Sequence, residues 1–477
     1  MPRAAVERLA SLIPHDFTLG VATSAFQIEG ALDEDGRGSS SWDEFAARPG
    51  VIDSDGSPAL ACDHYHRSGE DLDLVAGLGV DAYRFSIAWS RVQPEGRGAW
   101  NEKGWDFYDR LIDGMLARGL SPMATLFHWD TPLALEHDGG WLARATALRF
   151  AEYAAEAGRR FGDRVDRWVT LNEPVSLTLN GYALGIHAPG RQLLFDALPA
   201  AHHQLLGHGL AVQALRAARV RGQIGITNMH APVHPASRGP LDWIHAKSAD
   251  VLLNRLYADP VLLGRYPRIP SLGRRLNPTD RRTRADDLAT IHAPLDFYGL
   301  NYYYPARIRT GPGPTPNGVQ HTAAIGKTPF HLAELPEYAV TGFGWPISPE
   351  YCGVVLGELK QRYGASLPPV YITESGASFP EPSQSDGMMH DDARVAYLAS
   401  HLEAALAAVG PGGPAEGVDL RGWYVWTLTD NFEWAAGYTQ RFGLVHTDFA
   451  TLERTPKASY YWLQQLARAR HRPAVSA

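Results

Sequence analysis

Eight short apolar runs, rich in β-branched and aromatic residues and bounded by turn residues, recur along the chain with helical patterns between them. They are Phe17–Ala22, Tyr83–Ser86, Pro122–Leu126, Trp168–Leu171, Ile224–Asn228, Phe297–Asn301, Val370–Thr373 and Trp423–Trp426. Runs of this length without strict apolar–polar alternation read as strands buried on both faces, the condition of a parallel sheet. Helical periodicity fills gaps between them over Trp105–Arg118, Leu142–Arg160, Pro199–Arg219, Pro349–Tyr363 and Asp391–Val409. Gly119, Gly162 and Gly364 stand where left-handed C-caps are expected. Strand alternating with helix, joined by right-handed crossovers, predicts an α/β fold of the closed (β/α)8 TIM-barrel type.

This pattern decides what length leaves open. At 477 residues the chain could hold about three average domains, yet a barrel is one unit that takes long insertions. No internal repeat or linker divides the sequence, so residues 1–477 are expected to form one barrel domain, its core about 14–466, with long βα loops. The Gly/Pro/Thr-rich stretch Thr310 to Thr328 is the most loop-like piece.

Composition narrows the partners. The net charge is −8 and no Lys/Arg run is long enough to follow a phosphate backbone, so a small polar molecule, not nucleic acid, is the expected partner. Cys62 and Cys352 are too few for a disulfide framework and read as a thiol pair. Met1 to Ile13 lacks a signal-peptide core, and no run of about 18 apolar residues offers a membrane span. A soluble cytoplasmic protein is expected, its oligomeric state open.

In a barrel, residues following the strands converge on one mouth. Here they are Gln27 and Glu29 after the first run, Arg84 in the second, and His128, Trp129 and Asp130 after the third. Asn172, Glu173 and Pro174 follow the fourth, Asn301 and Tyr303 the sixth, Glu374 the seventh, and Trp426, Asp430, Glu433 and Trp434 the eighth. Two glutamates, expected to face each other across the barrel with indoles beside them, suit a glycosidic bond. One acid protonates the leaving oxygen, the other supports the oxocarbenium-like centre, and indole faces stack on sugar C–H faces.

The chain at this point resembles the β-glucosidases of glycoside hydrolase family 1, from about Phe17 to Leu466. The resemblance is carried by Gly20-Val21-Ala22-Thr23-Ser24-Ala25-Phe26-Gln27-Ile28-Glu29-Gly30, Tyr83-Arg84-Phe85-Ser86, His128-Trp129-Asp130, Thr170-Leu171-Asn172-Glu173-Pro174, Asn301-Tyr302-Tyr303, Tyr371-Ile372-Thr373-Glu374 and Asp430-Asn431-Phe432-Glu433-Trp434. It implies a retaining, exo-acting β-glucosidase with Glu173 as acid/base and Glu374 as nucleophile, their carboxyl groups about 5 to 5.5 Å apart. It also implies Arg84 and Tyr303 beside the nucleophile, and Gln27, His128, Asn172, Glu433 and Trp434 on the nonreducing sugar. Trp426 is implied beneath that sugar and Trp345 against the aglycone; Trp129 and Asn301 join the expected substrate-binding set. No cofactor or metal is implied.

Ser375 departs from the family's usual Asn after the nucleophile. His64-Tyr65-His66 and His202-His203 raise a metallohydrolase as a rival, but a His-x-His pair alone is weak evidence, since a catalytic zinc needs a third ligand and an open position. Transglycosylation through the same covalent intermediate competes with hydrolysis, and a non-catalytic sugar-binding barrel is a further rival. A Glu433 carboxylate is expected to repel 6-phosphorylated sugars, while β-fucosides and β-galactosides are expected as side substrates.

Overall fold

The computed structural model describes residues 2–268, 284, 286–314, 322–380, 383–385 and 387–470. Eight parallel strands close into a barrel: β1 (Thr18–Ala22), β2 (Ala82–Ser86), β3 (Ser121–Thr125), β4 (Arg167–Asn172), β5 (Gln223–Met229), β6 (Phe297–Asn301), β7 (Val370–Ser375) and β8 (Leu420–Trp426), with β1 paired to both β2 and β8. Each coincides with one apolar run, and β1, β2 and β6 are buried along their whole length. The hydrophobic effect selects this arrangement, because such runs leave no polar face to turn toward water.

Inside the barrel, large rings are set against strand glycines. A Cβ on Gly20 of β1 would lie 2.5 Å from the Tyr424 ring of β8, so the missing side chain makes room for that ring. Tyr371, Phe297, Met123 and Val169 belong to the same buried interior layer, which makes the barrel a packed core rather than a pore.

Outside, helices Glu102–Ala117, Arg144–Phe161, Leu198–Ala217, Glu350–Tyr363 and Asp392–Val409 match the periodic segments to within a few residues. Helices His64–Leu78 and Ala458–Arg470 complete the ring after β1 and β8. After β5 the crossover is divided among Pro240–Asp250, Leu256–Leu263 and Asp287–Ile291.

The expected glycine caps need correction. Gly119 has φ +73°, as a left-handed cap requires, and Gly364 has positive φ but lies outside the left-handed helical region at φ +49°, ψ −122°. Gly162 remains right-handed at φ −64°; a Cβ there would stand 2.3 Å from the Gly158 carbonyl, so close approach, not handedness, demands glycine. The stretch Thr310 to Thr328 is irregular over most of its described residues: it begins at the end of the strand Ala306–Thr310, which lies between Val233–Pro235 and Phe330–Ala333, and contains a 3-10 turn at Ile325–Lys327. Its residues 315–321 lie outside the described residues.

Cys62 and Cys352 are free and buried. Among the described residues, no helix is long and apolar enough to cross a membrane.

Candidate active site

The strand ends deliver the nominated side chains unequally. Arg84 on β2 is almost fully buried and reaches side chains or backbone of three other strands, β3, β4 and β7. Its Nε donates to Thr125 Oγ1 (3.1 Å), Nη2 to Asn172 Oδ1 (2.7 Å), and Nη1 to Glu374 Oε1 (2.5 Å) and the Thr373 carbonyl (3.1 Å). Tyr303 donates its hydroxyl to Glu374 Oε2 at 2.7 Å. Each carboxylate oxygen of Glu374 thus accepts a hydrogen bond, one of them from a permanent cation. The pairing of β7 with its neighbours shifts register around Ile372–Ser375, an irregularity that re-aims the end of the strand.

Glu173 has a different setting. It follows β4 at φ +43°, a backbone region sparsely populated by non-glycine residues, held there by its N–H on the Thr227 carbonyl (2.8 Å) and by Pro174 beginning a helical turn. Its oxygens accept from Asn301 Nδ2 (2.8 Å) and Ser176 Oγ (2.7 Å). Burial first, and then the Glu374 carboxylate, push Glu173 up to about 7, although Ser176, Asn301 and Arg84 favour its charged form. A group at about 7 holds a proton for much of the time at neutral pH and can also give it up.

Glu374 and Glu173 stand on β7 and β4, three steps apart round the barrel rather than diametrically opposite. Asn301 on the intervening β6 links their surroundings: it donates to Glu173 and to Asn172 Oδ1 (3.2 Å) and accepts from Thr373 Oγ1 (2.8 Å). Both protons of its amide nitrogen therefore have acceptors within the protein. In this structure the amide thus holds Glu173 in place.

Gln27, His128, Asn172, Glu433 and Trp434 gather at the same mouth. Gln27 sits on the short helix Ala25–Ile28, donates to Asn431 Oδ1 and Glu433 Oε2, and accepts from Ser24. His128 Nε2 accepts from Asn172 Nδ2 (3.0 Å), which leaves the proton on Nδ1, an atom without a protein partner. Burial and then Arg84 lower His128 well below the usual imidazole value, so it is a neutral donor. Trp426 and Trp434 each lie roughly parallel to the His128 ring, and Trp434 also contacts Trp129 at 4.7 Å between centroids. Trp129 donates Nε1 to the Asn172 carbonyl, so its indole holds the end of β4.

Glu433 changes one expectation. Burial first, together with the charges of Glu374 and Glu173, pushes it up to about 8, against Gln27 and Trp426, which favour its charged form. A carboxyl raised in this way takes up a proton more readily than an exposed one, which weakens the repulsion expected between it and a phosphate.

Beyond the carboxyls, Trp345 is half-buried against Phe343, stacked at 4.7 Å, with Phe442, Tyr303 and Tyr304 also in ring contact. Phe343, Phe442, Tyr304 and Ser176 did not emerge from the strand-end motifs; only the three-residue spacing of Ser176 from Glu173 hinted at contact.

Two nominated acids at the strand ends are bonded away from the sugar-side cluster. Glu29 is bonded to Arg91 and Tyr108, and Asp430 pairs with the buried Lys457. Asp130 is buried and raised well above the usual carboxylate range by desolvation. The histidines are likewise engaged elsewhere: His64 with Asp71, His66 with Asp63 and Glu34, His202 with Tyr266 and Asp287, and His203 with the Trp141 carbonyl. Among the described residues, no group of three His, Cys, Asp or Glu side chains is placed to hold a metal ion.

Two carboxyl groups in opposite hydrogen-bonding environments, at the mouth of a (β/α)8 barrel and beside indole faces, define a glycoside hydrolase. The model of glycosyl hydrolase family 1 matches residues 9–472, and the chain belongs to that family. It is 42% identical over 462 residues to a β-glucosidase from Agrobacterium, covering 96% of each chain. It is 40% identical to β-glucosidase A of Thermotoga maritima, covering 95% of this chain and 97% of that one. The crystal structure of a psychrophilic β-glucosidase from Micrococcus antarcticus superposes with a TM-score of 0.91 at 41% identity, over 98% of this chain and 99% of the other.

Proposed function

We propose that this chain is a retaining, exo-acting β-glucosidase that releases a nonreducing terminal glucose from β-glucosides and short oligosaccharides. The observation that carries the reading is the contrast between Glu374, whose two oxygens accept from Arg84 and Tyr303, and Glu173, buried and pushed up to about 7. In the first step Glu374 attacks C1, the glycosidic C–O bond breaks, and the Glu173 proton passes to the departing oxygen. Glu374 then carries the sugar as an ester and has lost its charge. Because that charge helped to raise Glu173, its loss lowers Glu173 and turns it into the base that deprotonates water for the second step. The carboxyl separation belonging to this reaction is about 5 to 5.5 Å.

His128, Gln27, Asn172 and Glu433 hold the hydroxyls, with Trp426 and Trp434 against the ring and Trp345 toward the aglycone. Gln27 and a protonated Glu433 each offer both a donor and an acceptor, so either epimer at C4 finds a partner, and β-fucosides and β-galactosides are side substrates. Residues 1–477 act as one catalytic unit with no nucleic-acid partner. A cytoplasmic location is part of the same reading and is supported by the two free, buried thiols.

Proton NMR during cleavage of an aryl β-glucoside tests the reading. The β-anomer of glucose is expected first, followed by mutarotation. Initial α-glucose, or no turnover of any β-glycoside, overturns it.

A further inference from the structure

We propose that Ser176 is a positioning residue for the acid/base: its hydroxyl holds Glu173 Oε2 through both halves of the reaction and sets where activity falls off on the alkaline side. The proposal rests on the role of Glu173 given above and adds a determinant that lies outside the nominated motifs.

The geometry is local and firmly held. Glu173 is followed by the helical turn Pro174–Ser176, in which the Ser176 N–H donates to the Glu173 carbonyl at 2.9 Å. That turn brings Oγ back to 2.7 Å from Glu173 Oε2. Thr178 Oγ1 donates to the Pro174 carbonyl (2.8 Å), and Gln204 Nε2, from the helix after β4, donates to Thr178 Oγ1 (2.8 Å). The turn is thereby tied to the outer helix, and Ser176 is buried with it.

The groups bearing on Glu173 come from several elements. Glu374 on β7 and Arg84 on β2 oppose one another, Asn301 on β6 donates to Oε1, and Tyr303, Tyr304 and Glu433 all lie within its electrostatic reach. Asn301 is shared with Asn172 and Thr373, so changing it disturbs the whole centre. Ser176 offers a contact directed at Glu173 itself. The two donors also differ in chemistry. An amide nitrogen only donates, whereas a hydroxyl donates to the carboxylate and can turn to accept from the acid. Ser176 can therefore serve Glu173 as proton donor in the first step and as base in the second.

The bond that the hydroxyl donates to the charged carboxylate is stronger than the one it accepts from the neutral acid, so removing it keeps Glu173 protonated to higher pH. The test is the pH dependence of kcat/KM on an aryl β-glucoside with a poor leaving group, for wild type, Ser176→Ala, Ser176→Thr and Glu173→Gln. Ser176→Ala is expected to move the alkaline limb upward by about half a pH unit or more, and Ser176→Thr, which retains the hydroxyl, to restore it. An unmoved limb in Ser176→Ala, or an equal shift in Ser176→Thr, overturns the role of the hydroxyl. If Glu173→Gln retains the wild-type alkaline limb, the assignment of Glu173 fails and this proposal with it. If that limb disappears in Glu173→Gln yet stays fixed in Ser176→Ala, only the proposal for Ser176 fails.

Discussion

The two ends of the barrel use charge in opposite ways. At the mouth, three buried carboxyl groups, Glu173, Glu374 and Glu433, lie within electrostatic reach of one another; the Arg84 guanidinium bonds Glu374, and the other two are pushed up to about 7 and 8. At the floor, Asp16, Ser121, Asp166, Arg167, Gln223, Tyr371 and Arg421 line a cavity of about 400 Å³ in which charges are compensated. Arg167 lies over the Tyr371 ring at 4.9 Å and donates to Ser121, while Arg421 pairs with Asp419. The same strands therefore carry concentrated like charge where protons must move and compensated charge where the barrel only has to close.

The largest expected effect falls on the mouth. Glu374→Gly is expected to lower kcat by about four orders of magnitude or more, because no covalent intermediate forms. Added azide or formate should restore turnover of activated aryl glucosides by entering the vacated space. Near-wild-type activity without added anion would break the contrast at once. Glu173→Ala should cost about 10²- to 10⁴-fold on substrates with poor leaving groups and far less in the first step with good ones; pre-steady-state rates across a leaving-group series measure this.

A subtler effect concerns coupling between the two acids. Since the Glu374 charge raises Glu173, Glu374→Gln should move the titration of Glu173 downward, as followed by carbon NMR of labelled glutamate. In the wild type, kcat/KM should decline as pH rises through about 7, where Glu173 loses the proton it must donate. A Glu173 titration indifferent to the Glu374 charge would remove the electrostatic link between the two steps. The smallest effect belongs to the floor: Arg167→Ala should leave kcat/KM within about twofold while lowering Tm by a few degrees through lost packing on Tyr371. A large loss of activity there would show that the two ends are not independent.

The barrel was legible in sequence because its strands are buried on both faces, and burial of that kind writes a continuous apolar run. Five segments chosen by helical periodicity also became helices, with small differences at their ends. Three-residue strands such as Val233–Pro235 left no mark, being too short for any period to register. The nominated side chains largely converge as expected, since residues after barrel strands share one mouth. What the motifs could not convey was orientation and competition. Glu29 and Asp430 occupy strand ends yet spend their charge on Arg91 and Lys457, and Asn301 is taken up by Glu173, Asn172 and Thr373. The protonation of Glu433 depends on burial among other carboxyls, a property of packing that a linear sequence does not display.

In the proposed reaction Glu374 is the carboxylate that bonds to the sugar while Glu173 handles the proton. Incubation with an activated 2-deoxy-2-fluoro-β-glucoside, which slows the second step, followed by peptide mass spectrometry, tests it most directly. Time-dependent inactivation is expected, with one fluoroglucosyl unit on the peptide containing Thr373-Glu374-Ser375, attached at Glu374. A label on Glu173 or another residue, or turnover that proceeds without any adduct, would contradict it.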